Sequence, residues 1–274
     1  MTNITISQSL GSNEPNEDSQ KDSQATSQKN QRPVAIVTGA SSGIGRAIAQ
    51  RLAAEGYDLA ICARRSDRLQ AVAESLRDRN VEVLAQVVDL RDEAQILSFF
   101  TAVENRWNHL DALVNSAGLG HKEPMMTGRT EAWREMLDVN VLALCICTRE
   151  AIRLMEPGAQ GHIVHISSLS GHRVPAIAGI YSATKFAVRS LTETLRRELR
   201  AAGSPIRITA ISPGIVETEF AEKYHQSTAK AEETYAQFPV LQAEDIANAV
   251  AYVLAQPPHV EINDLLLRPT QQES

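Results

Sequence analysis

The sequence predicts an α/β protein with one doubly wound parallel sheet of about seven strands and helices on both faces. Two observations support this fold class. Short apolar runs rich in β-branched residues alternate with longer amphipathic stretches from residue 33 to residue 267. The short runs are apolar throughout, which is typical of parallel strands that are covered on both faces. Right-handed crossovers between such strands then build a doubly wound sheet.

The bulk composition indicates a globular protein with an ordinary core. The 274 residues are 43% hydrophobic and 22% charged, and the formal net charge is −6. This acidic balance does not favour binding to nucleic acid, and no apolar run approaches the roughly 20 residues that span a membrane. The three cysteines are too few for a disulfide framework. We therefore expect a cytoplasmic protein with neither nucleic acid nor a membrane as its partner.

The first 32 residues differ in composition from the rest of the chain, because Ser, Gln, Asn, Asp and Glu dominate them. Such a segment buries too little apolar surface to offset the entropy lost on ordering. We predict a disordered polar tail over 1–32, either a solvated extension or a regulatory segment. A single domain is expected over 33–270.

The elements of that domain follow one another without an internal linker. Gly56 supplies a typical stop signal for the first helix. The predicted strands are 34–38, 58–62, 81–88, 110–115, 161–166, 206–211 and 261–267. The predicted helices are 44–55, 66–78, 92–106, 131–155, 180–202 and 243–255.

Two long segments, 116–130 and 213–240, interrupt the alternation. Both leave the carboxyl ends of predicted strands, where open α/β sheets bind ligands. Long loops at that edge are usually functional, so we expect them to wall a substrate pocket, with short helices in the second. Their larger apolar residues would suit an apolar substrate or could equally be core: Met125, Met126, Phe220, Tyr224 and Phe238.

A glycine-rich turn from Thr38 to Gly45 joins the first strand to the first helix. Its glycines are spaced G-x3-G-x-G, which differs from the usual G-x-G-x-x-G fingerprint. Glycines at this place let the backbone approach a pyrophosphate at the helix N-terminus. The alternative is a purely structural turn, but the position between the first strand and helix favours cofactor binding.

The end of the second strand indicates which dinucleotide would bind. An acidic residue there would bind the ribose 2′-hydroxyl, but this chain has Ala63 followed by Arg64 and Arg65. Guanidinium groups suit bidentate contacts with phosphate. The sequence therefore predicts NADP(H), with Arg64 as the principal contact of the 2′-phosphate.

A candidate acid/base site lies in the segment 161–200. Tyr181 and Lys185 are four residues apart, so they share one helix face, and the preceding strand ends in Ser167 and Ser168. A free tyrosine has a pKa of about 10, and a cation within a few ångströms lowers such a value by about 1–3 units. We therefore expect Lys185 to lower the pKa of Tyr181, which would exchange a proton with a carbonyl held by a serine.

The histidines do not predict a metal centre. His162 and His165 are an odd number of residues apart on a strand and therefore point to opposite sides. No acidic or thiol cluster completes a ligand set around them. His172 lies between Ser168 and Tyr181, where it could line the substrate mouth or support the loop.

Five motifs of the chain occur in a fixed order. They are the glycine turn, Asn115 to Gly118, Ser168, Tyr181 with Lys185, and Pro213 with Gly214. Together they resemble the short-chain dehydrogenase/reductase superfamily over residues 33 to about 270, with Ser116 replacing the usual second asparagine. The resemblance implies a Rossmann-like NAD(P)-binding domain. The stretches 140–151, 170–174, 211–218 and 268–270 are similar to carbonyl and ketosteroid reductases of this superfamily.

The resemblance also implies roles for individual residues. The catalytic group would be Asn140, Ser168, Tyr181 and Lys185. Ser168 is preferred to Ser167 because it lies 13 residues before Tyr181, the usual gap in the superfamily. Asn140 would hold a water that links Lys185 to solvent. The cofactor-binding residues, which include the two arginines, would be Thr38, Gly39, Ser41, Gly43, Ile44, Gly45, Arg64, Arg65, Asp89, Asn115, Gly118, Tyr181, Lys185, Pro213, Gly214 and Thr218.

These patterns predict an NADPH-dependent oxidoreductase that interconverts a carbonyl and a secondary alcohol. Small carbonyls, ketosteroids and hydroxy acids are the expected substrate classes. The alternative is a non-enzymatic dinucleotide-binding regulatory protein on the same fold. A sugar-nucleotide epimerase or dehydratase would need a longer C-terminal region than the 56 residues after Thr218. The resemblance further implies a homodimer or homotetramer that pairs the helices 131–155 and 180–202.

Overall fold

Seven parallel strands form one sheet in the computed structural model, which describes residues 32–155, 160–175 and 178–273. The strands are β1 (Val34–Thr38), β2 (Asp58–Ala63), β3 (Val83–Val87), β4 (Ala112–Asn115), β5 (His162–Ile166), β6 (Arg207–Pro213) and β7 (Asp264–Leu267). Their order across the sheet is β3-β2-β1-β4-β5-β6-β7, and every neighbouring pair is parallel. The predicted fold class is confirmed. Residues 1–31 of the predicted tail lie outside the described residues.

Helices cover both faces of the sheet. They are α1 (Gly43–Ala54), α2 (Ser66–Arg77), α3 (Glu93–Trp107), α4 (Thr130–Leu137), α5 (Ala143–Met155), α6 (Gly179–Ala201), α7 (Phe220–His225), α8 (Thr228–Ala236) and α9 (Ala243–Leu254). One apolar core packs α1, α2 and α9 on the first face. A second core packs α3, α5 and α6 on the other face. No helix in this part of the chain is both long and apolar enough to cross a membrane.

The predicted helix 131–155 is not continuous. It consists of α4, a π-helical turn at Asp138–Leu142, and α5. Within the turn, the Asn140 side chain forms hydrogen bonds with both backbone groups of Leu119. A π turn accommodates an extra residue in the helix and often marks a functional position. A helix prediction based on a 3.6-residue period does not detect this widening.

The last strand is shorter than the predicted 261–267 and begins at Asp264. The residues before it make other contacts with β6. Glu261 accepts a hydrogen bond on its carboxylate from the N–H of Ile208, and the carbonyl of Ile262 accepts one from the Thr209 hydroxyl. The chain therefore lies against β6 at 261–262 without forming regular strand pairs.

The two histidines of β5 make structural hydrogen bonds. His162 Nε2 lies 2.8 Å from Thr209 Oγ1 on β6. His165 contacts two helices, through Thr192 Oγ1 at 2.9 Å on α6 and Thr148 Oγ1 at 3.1 Å on α5. Among the described residues, no group of three or more His, Cys, Asp or Glu side chains could hold a metal ion. His162 therefore links β5 to the neighbouring strand β6, and His165 links β5 to the helices α5 and α6.

Both histidines remain neutral in the folded protein at mildly acidic pH. Burial lowers the pKa of each to about 3, whereas a free histidine titrates at 6.5. Between these values the unfolded chain binds more protons than the folded chain does. The free energy of unfolding should therefore fall as pH decreases below 6.5, by about 1 kcal/mol per pH unit for each histidine.

Urea unfolding between pH 7 and pH 5 tests this prediction. In His165→Gln, the stability at pH 7 should drop, but the loss of stability per pH unit should be smaller than in the wild type. His259→Gln, at an exposed position, is the control and should keep the wild-type slope. An unchanged slope in His165→Gln would contradict the prediction.

Candidate active site

A cavity of about 780 Å³ opens at the carboxyl ends of the strands. Because all the strands are parallel, these ends meet at one edge of the sheet. The glycine turn, the ends of β2 and β3, and the segments after β4, β5 and β6 line the cavity. Both long loops therefore contribute to its walls, the first over 116–120 and 122, and the second over 213–216, 218–221, 223–225 and 234–235.

The glycine turn packs so closely on the loop after β4 that side chains are excluded. Gly39 has a φ of +71°, and a Cβ there would lie 2.8 Å from the Cα of Ala117. At Gly45 a Cβ would lie 2.5 Å from the carbonyl oxygen of Gly39. Thr38 lies behind the wall, where its hydroxyl accepts hydrogen bonds from the N–H groups of Ser116 and Ala117. The turn leaves bare backbone at the start of α1, which fits a dinucleotide phosphate.

The two arginines after β2 occupy different positions. Arg65 Nη2 donates hydrogen bonds to Ser42 Oγ at 2.5 Å and to Ser41 Oγ at 3.3 Å. Arg64 Nη1 instead donates to Glu135 at 3.3 Å, and 51% of its side chain is exposed. Both arginines line the cavity. Arg65 therefore lies against the glycine turn, whereas Arg64, the principal 2′-phosphate contact expected from the sequence, lies against Glu135 on α4.

Besides Thr38, one further predicted cofactor residue does not line the cavity. Asn115 is buried, and its side-chain amide donates a hydrogen bond to Thr148 Oγ1 at 3.0 Å. It therefore links β4 to α5 and does not line the cofactor groove as expected. Apart from the two arginines, the lining residues of this set are Gly39, Ser41, Gly43, Ile44, Gly45, Asp89, Gly118, Tyr181, Lys185, Pro213, Gly214 and Thr218.

Ser168 and Tyr181 both line the cavity, and the Ser168 side chain acts to lower the pKa of the Tyr181 phenol. The backbone N–H of Ser170 donates a hydrogen bond to Ser168 Oγ at 3.0 Å and orients it. The Ser167 hydroxyl instead donates to the backbone carbonyl of Lys185 at 3.3 Å. Of the two serines after β5, Ser168 is therefore the one that acts on the pKa of the tyrosine.

Lys185 is 5% exposed, and its ammonium is fastened to the end of β5. Nζ donates a hydrogen bond to the carbonyl of Ile166 at 3.0 Å and lies 5.9 Å from the centre of the Tyr181 ring. Burial lowers the pKa of Lys185 to about 8. The side chain therefore keeps most of its positive charge at neutral pH.

The expectation that Lys185 lowers the pKa of Tyr181 is wrong. Burial raises the pKa of Tyr181 to about 12, and only the Ser168 side chain acts to lower it. The Lys185 ammonium donates its hydrogen bond to the carbonyl of Ile166 and not to the Tyr181 hydroxyl. The four-residue spacing places both side chains on one helix face but does not determine which atoms they contact.

Asn140 lies behind the cavity wall, next to Lys185. Its Oδ1 accepts a hydrogen bond from the N–H of Leu119 at 2.9 Å, and its Nδ2 donates to the Leu119 carbonyl at 2.8 Å and to Thr184 Oγ1 at 3.1 Å. A Cβ at Gly118 would lie 3.5 Å from both Asn140 Oδ1 and Lys185 Nζ. The π turn thus brings the asparagine close to the ammonium.

Aromatic rings form the wall around the tyrosine. The ring of Phe220 lies 5.4 Å from that of Tyr181 and 5.8 Å from that of Tyr224. All three pack over Gly120, where a Cβ would lie 2.8 Å from Phe220 Cζ. Of the five apolar residues expected in the pocket, Phe220 and Tyr224 line the cavity, and the others do not: Met125, Met126 and Phe238.

Two lining residues carry no motif that sequence reasoning could detect. The Tyr235 hydroxyl donates a hydrogen bond to the carbonyl of Thr218 at 2.6 Å and accepts one from the N–H of Ala221. Gln272 Oε1 accepts a hydrogen bond from the N–H of Ile215 at 3.0 Å. Both hold the segment after β6 in place. The aromatic content of the second loop was the one available signal for Tyr235.

His172 supports a loop and does not line the cavity. Its Nε2 lies 3.0 Å from Ser212 Oγ and 3.3 Å from the Asp264 carboxylate. The Asp264 carboxylate also accepts a hydrogen bond from the Ser212 hydroxyl. The structure therefore favours the loop-supporting role over the substrate mouth, since these contacts tie the segment after β5 to β6 and β7.

Comparisons with known proteins identify similar chains. A family model described as short chain dehydrogenase matches residues 33–229. Dehydrogenase/reductase SDR family member 11 of Gallus gallus is 46% identical over 248 residues, which cover 88% of this chain and 97% of that protein. Farnesol dehydrogenase of Aedes aegypti is 40% identical over 245 residues, covering 88% and 97% respectively. The resemblance to the short-chain dehydrogenase/reductase superfamily that the sequence motifs indicate is confirmed.

A solved structure matches most of the chain. The closed form of serine dehydrogenase complexed with NADP⁺ superposes with a TM-score of 0.83 at 34% identity. The match covers 88% of this chain and 96% of that chain.

The packing of the glycine turn yields a prediction. In Gly45→Ala the new methyl would collide with the carbonyl of Gly39, and relieving such overpacking costs about 1–3 kcal/mol. The melting temperature should fall by several degrees, and nucleotide affinity should fall by about tenfold or more because the phosphate turn is displaced.

The control is Gly56→Ala. Gly56 has a φ of +86°, and a Cβ there would have no atom within 4 Å. Alanine at this position therefore strains the backbone, but it does so far from the turn. It should lower the melting temperature without changing nucleotide affinity. Thermal unfolding and fluorescence titration with NADPH measure the two effects, and equal loss of affinity in both variants would contradict the prediction.

Proposed function

The chain belongs to the short-chain dehydrogenase family, and on that premise we propose that this oxidoreductase uses NADPH to interconvert a carbonyl and a secondary alcohol. One observation carries the proposal. Ser168, Tyr181 and the buried Lys185 line one cavity, and Lys185 Nζ lies 5.9 Å from the centre of the Tyr181 ring.

The chain's own residues supply the proton chemistry. Tyr181 donates its hydroxyl proton to the carbonyl oxygen during reduction and accepts the alcohol proton in reverse. Ser168 holds the same oxygen and stabilises its developing negative charge. When bound, the nicotinamide supplies or accepts the hydride and, in its oxidised form, adds positive charge near the phenol. Lys185 adds a second cation, and Asn140 connects the backbone of Leu119 to this end of the site.

NADP(H) is the proposed cofactor because of the arginines at the end of β2. Arg65 lies against the hydroxyls of Ser41 and Ser42, so a 2′-phosphate would find a guanidinium and two hydroxyl groups together. Arg64 lies at the same cavity wall and takes a secondary share. The serine dehydrogenase structure with NADP⁺ supports this assignment by similarity.

The proposed substrate class is a carbonyl compound or secondary alcohol with an apolar body. Phe220 and Tyr224 support this choice because they present aromatic surface next to Tyr181. The similarity to dehydrogenase/reductase SDR family member 11 and to farnesol dehydrogenase also supports an oxidoreductase of this kind. NADPH oxidation against a panel of ketosteroids, diketones, aldehydes and keto acids tests the class directly.

We also propose that the protein forms a homodimer or homotetramer through α4, α5 and α6. Leu137 and Leu142 at the end of α4 and in the π turn are 46% and 56% exposed, and Phe186 on α6 is 39% exposed. Such large apolar side chains favour an interface over solvent. Light scattering after size-exclusion chromatography measures the mass in solution.

Tyr181→Phe tests the catalytic proposal. Removing the hydroxyl takes away the proton donor but keeps the ring, so turnover of the best panel substrate should fall by about 10²- to 10⁴-fold with NADPH affinity unchanged. The control is Tyr252→Phe, at an exposed position on α9, which should keep wild-type turnover. Near-normal activity of Tyr181→Phe would refute the proposed role. NADPH binding without turnover in the wild type would instead support the non-enzymatic regulator.

Arg65→Ala and Arg64→Ala test the cofactor proposal. Because Arg65 contacts the phosphate turn, its loss should weaken NADPH binding by about tenfold or more and leave NADH binding nearly unchanged. Arg64→Ala should have a smaller effect in the same direction. Titration of both variants with both nucleotides gives the comparison, and a larger effect at Arg64 would contradict the assignment. Equal wild-type affinity for NADH and NADPH would refute NADP(H) specificity.

A further inference from the structure

The guanidinium of Arg65 contacts a carboxylate in addition to the serine hydroxyls of the glycine turn. Its Nη1 donates a hydrogen bond to Glu219 Oε2 at 2.7 Å, while Nη2 contacts Ser42 and Ser41. The carboxylate comes from 154 residues further along the chain. An acid thus occupies one edge of the arginine that is proposed to bind the 2′-phosphate.

Glu219 is held at this place by three cations. Besides Arg65, the side chains of Arg68 and Lys223 form ion pairs with its carboxylate, the latter at 3.0 Å. Burial acts to raise the pKa of Glu219, but these hydrogen bonds outweigh it and lower the pKa to about 2. The residue is therefore ionised across the physiological range of pH.

Acidic side chains are scarce around the cavity. Among the described residues that line it, Asp89 and Glu219 are the acids, and Asp89 is paired with Arg91. Glu219 therefore provides the negative charge next to Arg65. A phosphate that binds Arg65 must either displace this carboxylate or bind beside it, and like charges close together repel.

Glu219 also belongs to the wall of the substrate end. It immediately precedes α7, which carries Phe220 and Tyr224. The preceding Thr218 lies against the glycine turn, since a Cβ at Gly43 would be 3.2 Å from its Cγ2. The ion pair with Arg65 therefore joins the cofactor end of the cavity to the segment that contacts the substrate.

We propose that Glu219 is a specificity-determining residue that competes with the 2′-phosphate for Arg65 and thereby weakens NADP(H) binding relative to NAD(H). Glu219 acts through the arginine and touches neither the reacting atoms nor the nicotinamide. The inference rests on the NADP(H) cofactor proposed above. Its consequence is that binding of the 2′-phosphate weakens the Arg65–Glu219 ion pair, which joins the segment 218–225 to the cofactor end of the cavity.

Glu219→Gln is the test, because it removes the charge and keeps the size of the side chain. The dissociation constants of NADPH and NADH are measured by fluorescence titration on the full chain. NADPH should bind about three- to tenfold more tightly than in the wild type, and NADH should be unaffected because it has no 2′-phosphate. The difference should shrink at high salt, where the repulsion is screened.

Two further variants make the result specific. Glu222→Gln makes the same change of charge three residues away, at a side chain that bonds to Thr228 and not to the arginines, and should alter neither constant. Glu219→Asp restores the charge and should return the NADPH affinity toward the wild-type value. Thermal unfolding of each variant confirms that it is folded.

An unchanged ratio of the two dissociation constants in Glu219→Gln would overturn the proposal. Weaker NADPH binding would also overturn it, since Glu219 would then be orienting Arg65 for the phosphate. Failure of the proposed function is seen separately, in the turnover and cofactor preference of the wild type. If the wild type preferred NADH, Glu219→Gln should still shift the ratio toward NADPH. If the wild type bound neither nucleotide, both proposals would fall.

Discussion

Burial of the Lys185 ammonium is the constraint on which the candidate site depends. A charge taken out of water needs a partner, and the carbonyl of Ile166 at the end of β5 provides one. Ser168 follows Ile166 by two residues, and Tyr181 precedes Lys185 by about one helical turn. One contact between a strand end and a helix therefore places both residues on the wall of the same cavity.

The two ends of the cavity are joined by ion pairs as well as by backbone. Arg65 reaches Glu219 at the start of α7, and Arg64 reaches Glu135 on α4. Glu135 in turn contacts His121 in the loop after β4. Exposed pairs of this kind contribute little to stability, so their importance lies in where they hold the arginines and the loops. Two sets of ion pairs, one around Glu219 and one around Glu135, thus hold the arginines after β2 against the segments that follow β6 and β4.

Local patterns predicted the sheet, most element boundaries and the place of the glycine turn, because each depends on residues close together in the chain. The π turn at Asn140 was not predictable in this way, since a helical period continues through it and the cause is a contact with Leu119 in another loop. Asn115 shows the same limit: its position at a strand end is local, but its turn toward Thr148 depends on the packing of α5.

The sequence by itself determined the order of strands and helices and the presence of a phenol, a cation and a hydroxyl at the edge of the sheet. Spacing along a strand or helix is sufficient for that, because the period of each element sets which side chains share a face. Only the tertiary structure decided that burial raises the pKa of Tyr181 and that Arg65 faces the turn and meets Glu219. Desolvation and ion pairing depend on groups brought close in space by packing, and sequence separation carries no information about that distance.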